Sequence, residues 1–136
     1  MNTARITYNG ELRTTATHLA SGNTFITDAP TDNHGKGEAF SPTDLIAAAT
    51  LSCMITVMGI QAEKSDIQMG DVRGEVKKNM LSNPRRVGSL NIEMSFSNHN
   101  LSDTDKSLLE NVALNCPVAK SLHPDIIVNV KFIYSD

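Results

Sequence analysis

Tryptophan is absent, and aromatic residues make up only 4% of the 136. Rows of rings on which nucleic-acid bases could stack are therefore excluded. Positive charge is not in excess either: 12 Lys and Arg stand against 15 Asp and Glu, for a formal charge of -3. The compact basic cluster is Arg85-Arg86 alone, so no nucleic acid is expected as a partner. The N-terminal stretch MNTARITYNGELRTTATH lacks the continuous apolar segment of a secretory leader and reads as mature protein. The longest apolar run, Leu45 to Ile60, has 16 residues and is interrupted by Thr, Ser and Gly. It falls short of a spanning helix and predicts a buried helix of a cytoplasmic protein, with no membrane partner.

Cysteine is nearly absent. Cys53 and Cys116 are the two present, too few for a disulfide framework and too few for a four-cysteine metal cluster. There is no CxxC, GxGxxG, P-loop or GxSxG. The four histidines, His18, His34, His99 and His123, show no ligand-like spacing, so no metal is expected. What the sequence does contain is 40% hydrophobic and 20% charged residues, enough for a packed core in one domain over residues 1–136.

Two strand-like runs, ARITY and LRTTATH, flank Asn9-Gly10, which predicts a hairpin turning at that dipeptide. A third run covers Asn23 to Thr27, and residues 28–41, rich in Pro, Gly, Asp and Asn, read as a loop. Ser41-Pro42-Thr43-Asp44 then gives an N-cap, a proline at the first helical position and a short-chain capping box. The helix predicted from Pro42 to about Ala62 would be roughly 30 Å long. It is apolar around nearly its whole circumference, so it must be enclosed on several sides. Burial across a dimer interface would meet that need.

Val72 to Met80 and Val87 to Ser97 read as a strand pair, the latter through the alternation in LNIEMSF. Residues 102–114 predict a second helix with Ser102 as cap and Asp105 at its third position. A short turn follows Cys116-Pro117, and Ile126 to Tyr134 is a final strand. The order of elements is not a regular βαβ series, which makes the fold class α+β.

The surroundings of the two thiols differ. Cys53 lies mid-helix, where free cysteine is often a small buried hydrophobe. Cys116 opens a helical turn, where unpaired backbone N–H groups favour a thiolate. Together they leave two readings open: inert core residues, or a pair in which one sulfur reduces a peroxide and the other condenses with the sulfenic acid.

The stretch GEAFSPTDLIAAATLSCM, followed by NCPVAKSL, resembles the OsmC/Ohr family of osmotically inducible and organic hydroperoxide resistance proteins. The resemblance rests on Pro42, Leu45, Ala48 and Cys53 with Cys116-Pro117, and spans essentially the whole chain. It implies an intertwined homodimer whose central helices are wrapped by antiparallel sheets. It implies thiol-dependent reduction of organic hydroperoxides, with Cys53 as nucleophile and Cys116 as resolving cysteine. An external dithiol would restore the thiols, and no bound cofactor is required because sulfur carries the electrons.

The family also brings an arginine from an N-terminal strand to the nucleophile, and Arg13 matches its position better than Arg5. In one respect the sequence departs from the family. Peroxidases of this kind carry a glutamate directly after the helix-start proline, paired with the arginine, whereas this chain has Thr43. Asp44 is one residue along and suits a helix cap; Glu38, in the preceding loop, is the other candidate to hold Arg13. The departure supports an alternative reading, an OsmC-like protein without efficient peroxidase activity that binds a small apolar ligand or senses oxidants.

Overall fold

The computed structural model describes residues 1–135. Two compact units are present, Met1–Ile46 and the chain from Ala47 onward.

The first unit is a three-stranded antiparallel sheet of β1 (Ala4–Gly10), β2 (Arg13–His18) and β3 (Thr24–Asp28), in that order. The predicted hairpin is present, but its turn lies beyond Asn9-Gly10. Gly10 pairs with Arg13, so the two-residue loop is Glu11-Leu12, both in the left-handed region at φ 54 and 63. Gly10 itself, at φ 84, absorbs a bulge in β1, a conformation that costs glycine little and other residues more. Asn9 remains in the strand, and its side-chain amide donates to Thr15 Oγ1 at 2.7 Å. The Leu12 N–H donates to the Tyr8 hydroxyl at 3.3 Å, and the Ala29 N–H to the Leu12 carbonyl at 3.0 Å, which holds this uncommon turn. After β3 come a 3-10 turn (Thr31–Asn33) and a loop that reaches the cap of the long helix.

That helix, α1, runs Pro42–Lys64, about 35 Å at 1.5 Å per residue. Its capping box forms as expected: the Asp44 N–H donates to Ser41 Oγ at 3.1 Å and the Ser41 N–H to Asp44 Oδ2 at 2.9 Å. By length and composition alone it could cross a membrane, with a mean hydropathy of 1.8 in its most apolar window. Its inner face, however, is built into a protein core. Leu51, Met54, Met58 and Ala62 pack with Ile92, Met94, Phe96, Leu109 and Ala113 in one cluster. Ala49, Ser52, Thr56 and Ile60 lie exposed on the other side, so within one chain the helix is enclosed on one face rather than several.

In the second unit β4 (Asp71–Leu81) and β5 (Arg86–Ser97) form an antiparallel pair. Strand β5 alternates as predicted: Leu90, Ile92, Met94 and Phe96 are buried while Asn91, Glu93 and Ser95 face solvent. The last strand, β6 (Ile127–Tyr134), lies parallel to β5, from Ser89 opposite Ile127 to Phe96 opposite Tyr134. The second sheet is therefore mixed rather than wholly antiparallel. Parallel neighbours need a crossover, and here it is α2 (Asp103–Leu114) followed by α3 (Pro117–Ser121). Helix α2 carries the predicted Ser102–Asp105 capping box. Tyr134 ties the end of the crossover strand down: it stacks on Phe96 at 4.9 Å and donates to Glu110 Oε2 at 2.6 Å.

Leu109 and Phe96 are both fully buried in this core. Leu109→Ala is expected to cost about 2–5 kcal/mol and Phe96→Ala about 3–5 kcal/mol in urea denaturation, as cavities replace packed side chains. Ser107→Ala, on the exposed side of α2, is expected to stay within about 0.5 kcal/mol.

Candidate functional site

The second unit brings the two cysteines together. Cys53 sits half-buried on α1, directly before the core residue Met54, and packs against the cluster that includes Cys116. Cys116 is the N-cap of α3 and is 1% exposed. Its Sγ accepts the Ala119 N–H at 3.4 Å, and its carbonyl accepts the Lys120 N–H at 3.0 Å. The two sulfurs are near enough to interact, and both thiols are free.

Burial pushes the Cys116 thiol up from its ordinary value, and the hydrogen bond to Cys53 and the charge on Cys53 push the same way. The N–H groups of Ala119 and Val118 offset only part of this. Helix-start chemistry by itself favours a Cys116 thiolate; desolvation and a neighbouring sulfur outweigh it, and Cys116 holds its proton.

A second cluster lies in the first unit, around Arg13. The guanidinium grips Asp28 through two bonds, Nε to Oδ1 at 2.6 Å and Nη2 to Oδ2 at 2.8 Å. Nη2 also donates to Glu38 Oε1 at 2.9 Å, and the Glu38 backbone N–H donates to Asp28 Oδ2 at 3.1 Å. The Asp28 side chain is 1% exposed, against 65% for Glu38. Arg13 holds the Asp28 carboxyl below the usual carboxylate range, helped by the Glu38 N–H and by Lys36. In return Asp28, and then Glu38, raise the affinity of Arg13 for its proton.

Glu38 thus reaches Arg13 as the sequence suggests, and Asp44 serves as the cap of α1. Arg5 is exposed in β1 opposite Thr17. Asp28 opens the Pro- and Gly-rich stretch that reads as loop, so composition does not single it out. It is the last residue of β3, and the signal was in the register. Strands β2 and β3 fold about the connection at residues 19–23, which sets Arg13 directly across from Asp28. Among the histidines, His18 Nδ1 bonds Ser21 Oγ at 2.6 Å, His99 and His123 accept backbone N–H groups, and His34 ends the 3-10 turn. Among the described residues no group of three or more His, Cys, Asp or Glu is placed to hold a metal ion.

The family described as OsmC-like protein matches residues 35–131 of this chain. Among solved structures, a Psychrobacter arcticus protein provisionally assigned to osmotic stress induction and detoxification response is 51% identical, with a TM-score of 0.92 over 97% of this chain and 96% of that one. The Legionella pneumophila organic hydroperoxide resistance protein OsmC has the same fold at 16% identity, with a TM-score of 0.76 and 98% of each chain covered. A Vibrio cholerae protein provisionally described as an organic hydroperoxide resistance protein, holding captopril in one of its active sites, shares the fold at 17% identity. Its TM-score is 0.71, over 97% of this chain and 92% of that one. No curated protein matches.

The Arg13–Asp28 pair makes acid stability a direct readout of this cluster. A carboxyl whose folded value lies below its ordinary value of 3.8 stabilises the fold fully well above 3.8, and that contribution disappears as pH falls through the folded value. The stability difference between wild type and Asp28→Asn, measured by urea denaturation, is expected to be constant near neutral pH and to shrink from about pH 5 downward. A difference that grew on acidification would place the depressed carboxyl elsewhere.

Proposed function

The chain belongs to the OsmC-like protein family, and on that premise we propose that it is a thiol-dependent peroxidase that reduces organic hydroperoxides to alcohols. The observation that carries this reading is the contact between two free thiols, one half-buried on α1 and the other held protonated at the start of α3.

The Cys53 thiolate attacks the terminal peroxide oxygen. A new S–O bond forms, the O–O bond breaks, and the alkoxide leaves with a proton as the alcohol. Cys53 is now a sulfenic acid, oxidised by two electrons. The Cys116 sulfur attacks it, a Cys53–Cys116 disulfide forms, and the Cys116 proton leaves with hydroxide as water. An external dithiol then exchanges with the disulfide, is itself oxidised, and returns both thiols. In this reading Arg13 serves Cys53, favouring its thiolate and orienting the peroxide oxygen, as a guanidinium does with anionic partners. Glu38 and Asp28 hold the arginine. The sulfurs carry the electrons, so the cycle needs no bound cofactor.

Two further features fit the same reading. The exposed row Ala49, Ser52, Thr56 and Ile60 on α1 suits pairing with a second copy, which would complete the enclosure of an apolar helix. Two free cysteines suit the reducing cytoplasm, where thiols persist.

Intact-mass measurement after one equivalent of cumene hydroperoxide is expected to show a loss of about 2 Da, for the disulfide. Cys116→Ser is expected to stop at the sulfenic acid, a gain of about 16 Da. Cys53→Ser is expected to show neither change and no turnover. Survival of both thiols in the wild type, or full turnover in Cys53→Ser, contradicts the mechanism.

A further inference from the structure

The two carboxylates on Arg13 are not equivalent. Asp28 meets the guanidinium side-on through Nε and Nη2, a bidentate geometry that fixes both the position and the plane of the group. Glu38 makes a single bond to a nitrogen that Asp28 already occupies. Asp28 is buried and Glu38 is largely in water. A buried carboxylate that loses its cation is left as an uncompensated charge, whereas an exposed ion pair exchanges with water at little cost.

The backbone around Asp28 adds to the difference. The Asp28 N–H donates to the Phe40 carbonyl at 3.0 Å, and the Gly37 N–H to the Ala29 carbonyl at 3.1 Å. Gly35 presses so closely on Ala29 that an added Cβ would lie 1.7 Å from its carbonyl oxygen. The loop of residues 29–40 is thus folded back on the end of β3, and Asp28 is part of that fixed frame. Glu38 contributes its N–H to the frame, but its carboxylate extends from it into solvent.

We propose that Asp28 is the positioning residue for Arg13, taking over the task of the carboxylate that Thr43 does not supply, and that Glu38 is the exchangeable partner that yields Nη2 to the peroxide. The proposal rests on the reading that Arg13 serves Cys53 in peroxide reduction. It ranks two variants in opposite order from a ranking by sequence position alone, in which the loop residue Glu38 is the holder and Asp28 a loop polar group.

The test uses the full chain with cumene hydroperoxide and dithiothreitol. Alkylation of Cys53 by iodoacetamide, a neutral reagent, is followed in a Cys116→Ser background. Asp28→Asn is expected to lower kcat/KM about 10²-fold, chiefly in kcat, because a misplaced guanidinium spoils the reacting geometry. Alkylation of Cys53 slows with it. Glu38→Gln is expected to lower kcat/KM only about 2- to 5-fold, and chiefly through KM. A role for Asp28 in folding alone would not slow alkylation in a variant that melts like the wild type.

Asp28→Asn within twofold of wild type, or a larger loss in Glu38→Gln, overturns the proposal. If Asp28→Asn does not fold, Asp28→Glu carries the test: displacing the guanidinium by one methylene is expected to lower kcat/KM about tenfold, and an unchanged kcat/KM overturns the proposal. If the wild type itself shows no turnover, the peroxidase reading fails, and alkylation still decides. Slower alkylation in Asp28→Asn then supports the positioning role, and an unchanged rate overturns it.

Discussion

The parallel register between β5 and β6 governs the second unit. Two parallel strands cannot be joined by a tight turn, so the chain must leave the sheet after β5 and return alongside it. The excursion is α2, Asn115-Cys116 and α3. Leu109 and Ala113 on α2 enter the same core as Leu51, Met54 and Met58 on α1, and this anchors the crossover against the long helix. Cys116 follows directly, so its sulfur meets Cys53 as a consequence of packing. Tyr134, through its stack on Phe96 and its bond to Glu110, closes the circuit from β6 back to α2.

The electrostatics of the pair follow from that placement. A cysteine at a helix start would ordinarily be the more acidic thiol. Here the same packing that delivers Cys116 also strips it of water and sets it against another sulfur, and these effects exceed the help of two backbone N–H groups. The helix start therefore supplies geometry, with the Ala119 N–H holding Sγ in place, more than it supplies acidity. The division between an attacking Cys53 and a resolving Cys116 is the reading that suits a protonated Cys116.

Much of this was legible in the amino acids, for definite reasons. Both capping boxes rest on residues three apart, and β5 shows its period of two openly, so local chemistry decides them. Features that depend on pairing were less legible. Asn9-Gly10 is a strong turn signal, yet the bulge at Gly10 moves the turn to Glu11-Leu12, and tertiary bonds from Tyr8 and Ala29 hold it there. The sequence of β6 does not record that it runs parallel to β5. Asp28 closes a strand and opens a Pro- and Gly-rich stretch, so composition hides it; only the β2–β3 register sets it opposite Arg13. The apolar girth of α1 predicts enclosure on several sides, whereas one chain buries a single face.

The proposed catalytic cycle is carried by two sulfurs, and steady-state turnover tests it most directly. Catalytic amounts of the protein are mixed with cumene hydroperoxide and excess dithiothreitol, and the loss of hydroperoxide is followed against oxidation of the dithiol. The account predicts one dithiol oxidised per hydroperoxide consumed, over many equivalents per chain, at a rate proportional to protein concentration. Consumption no faster than with dithiothreitol alone would contradict it.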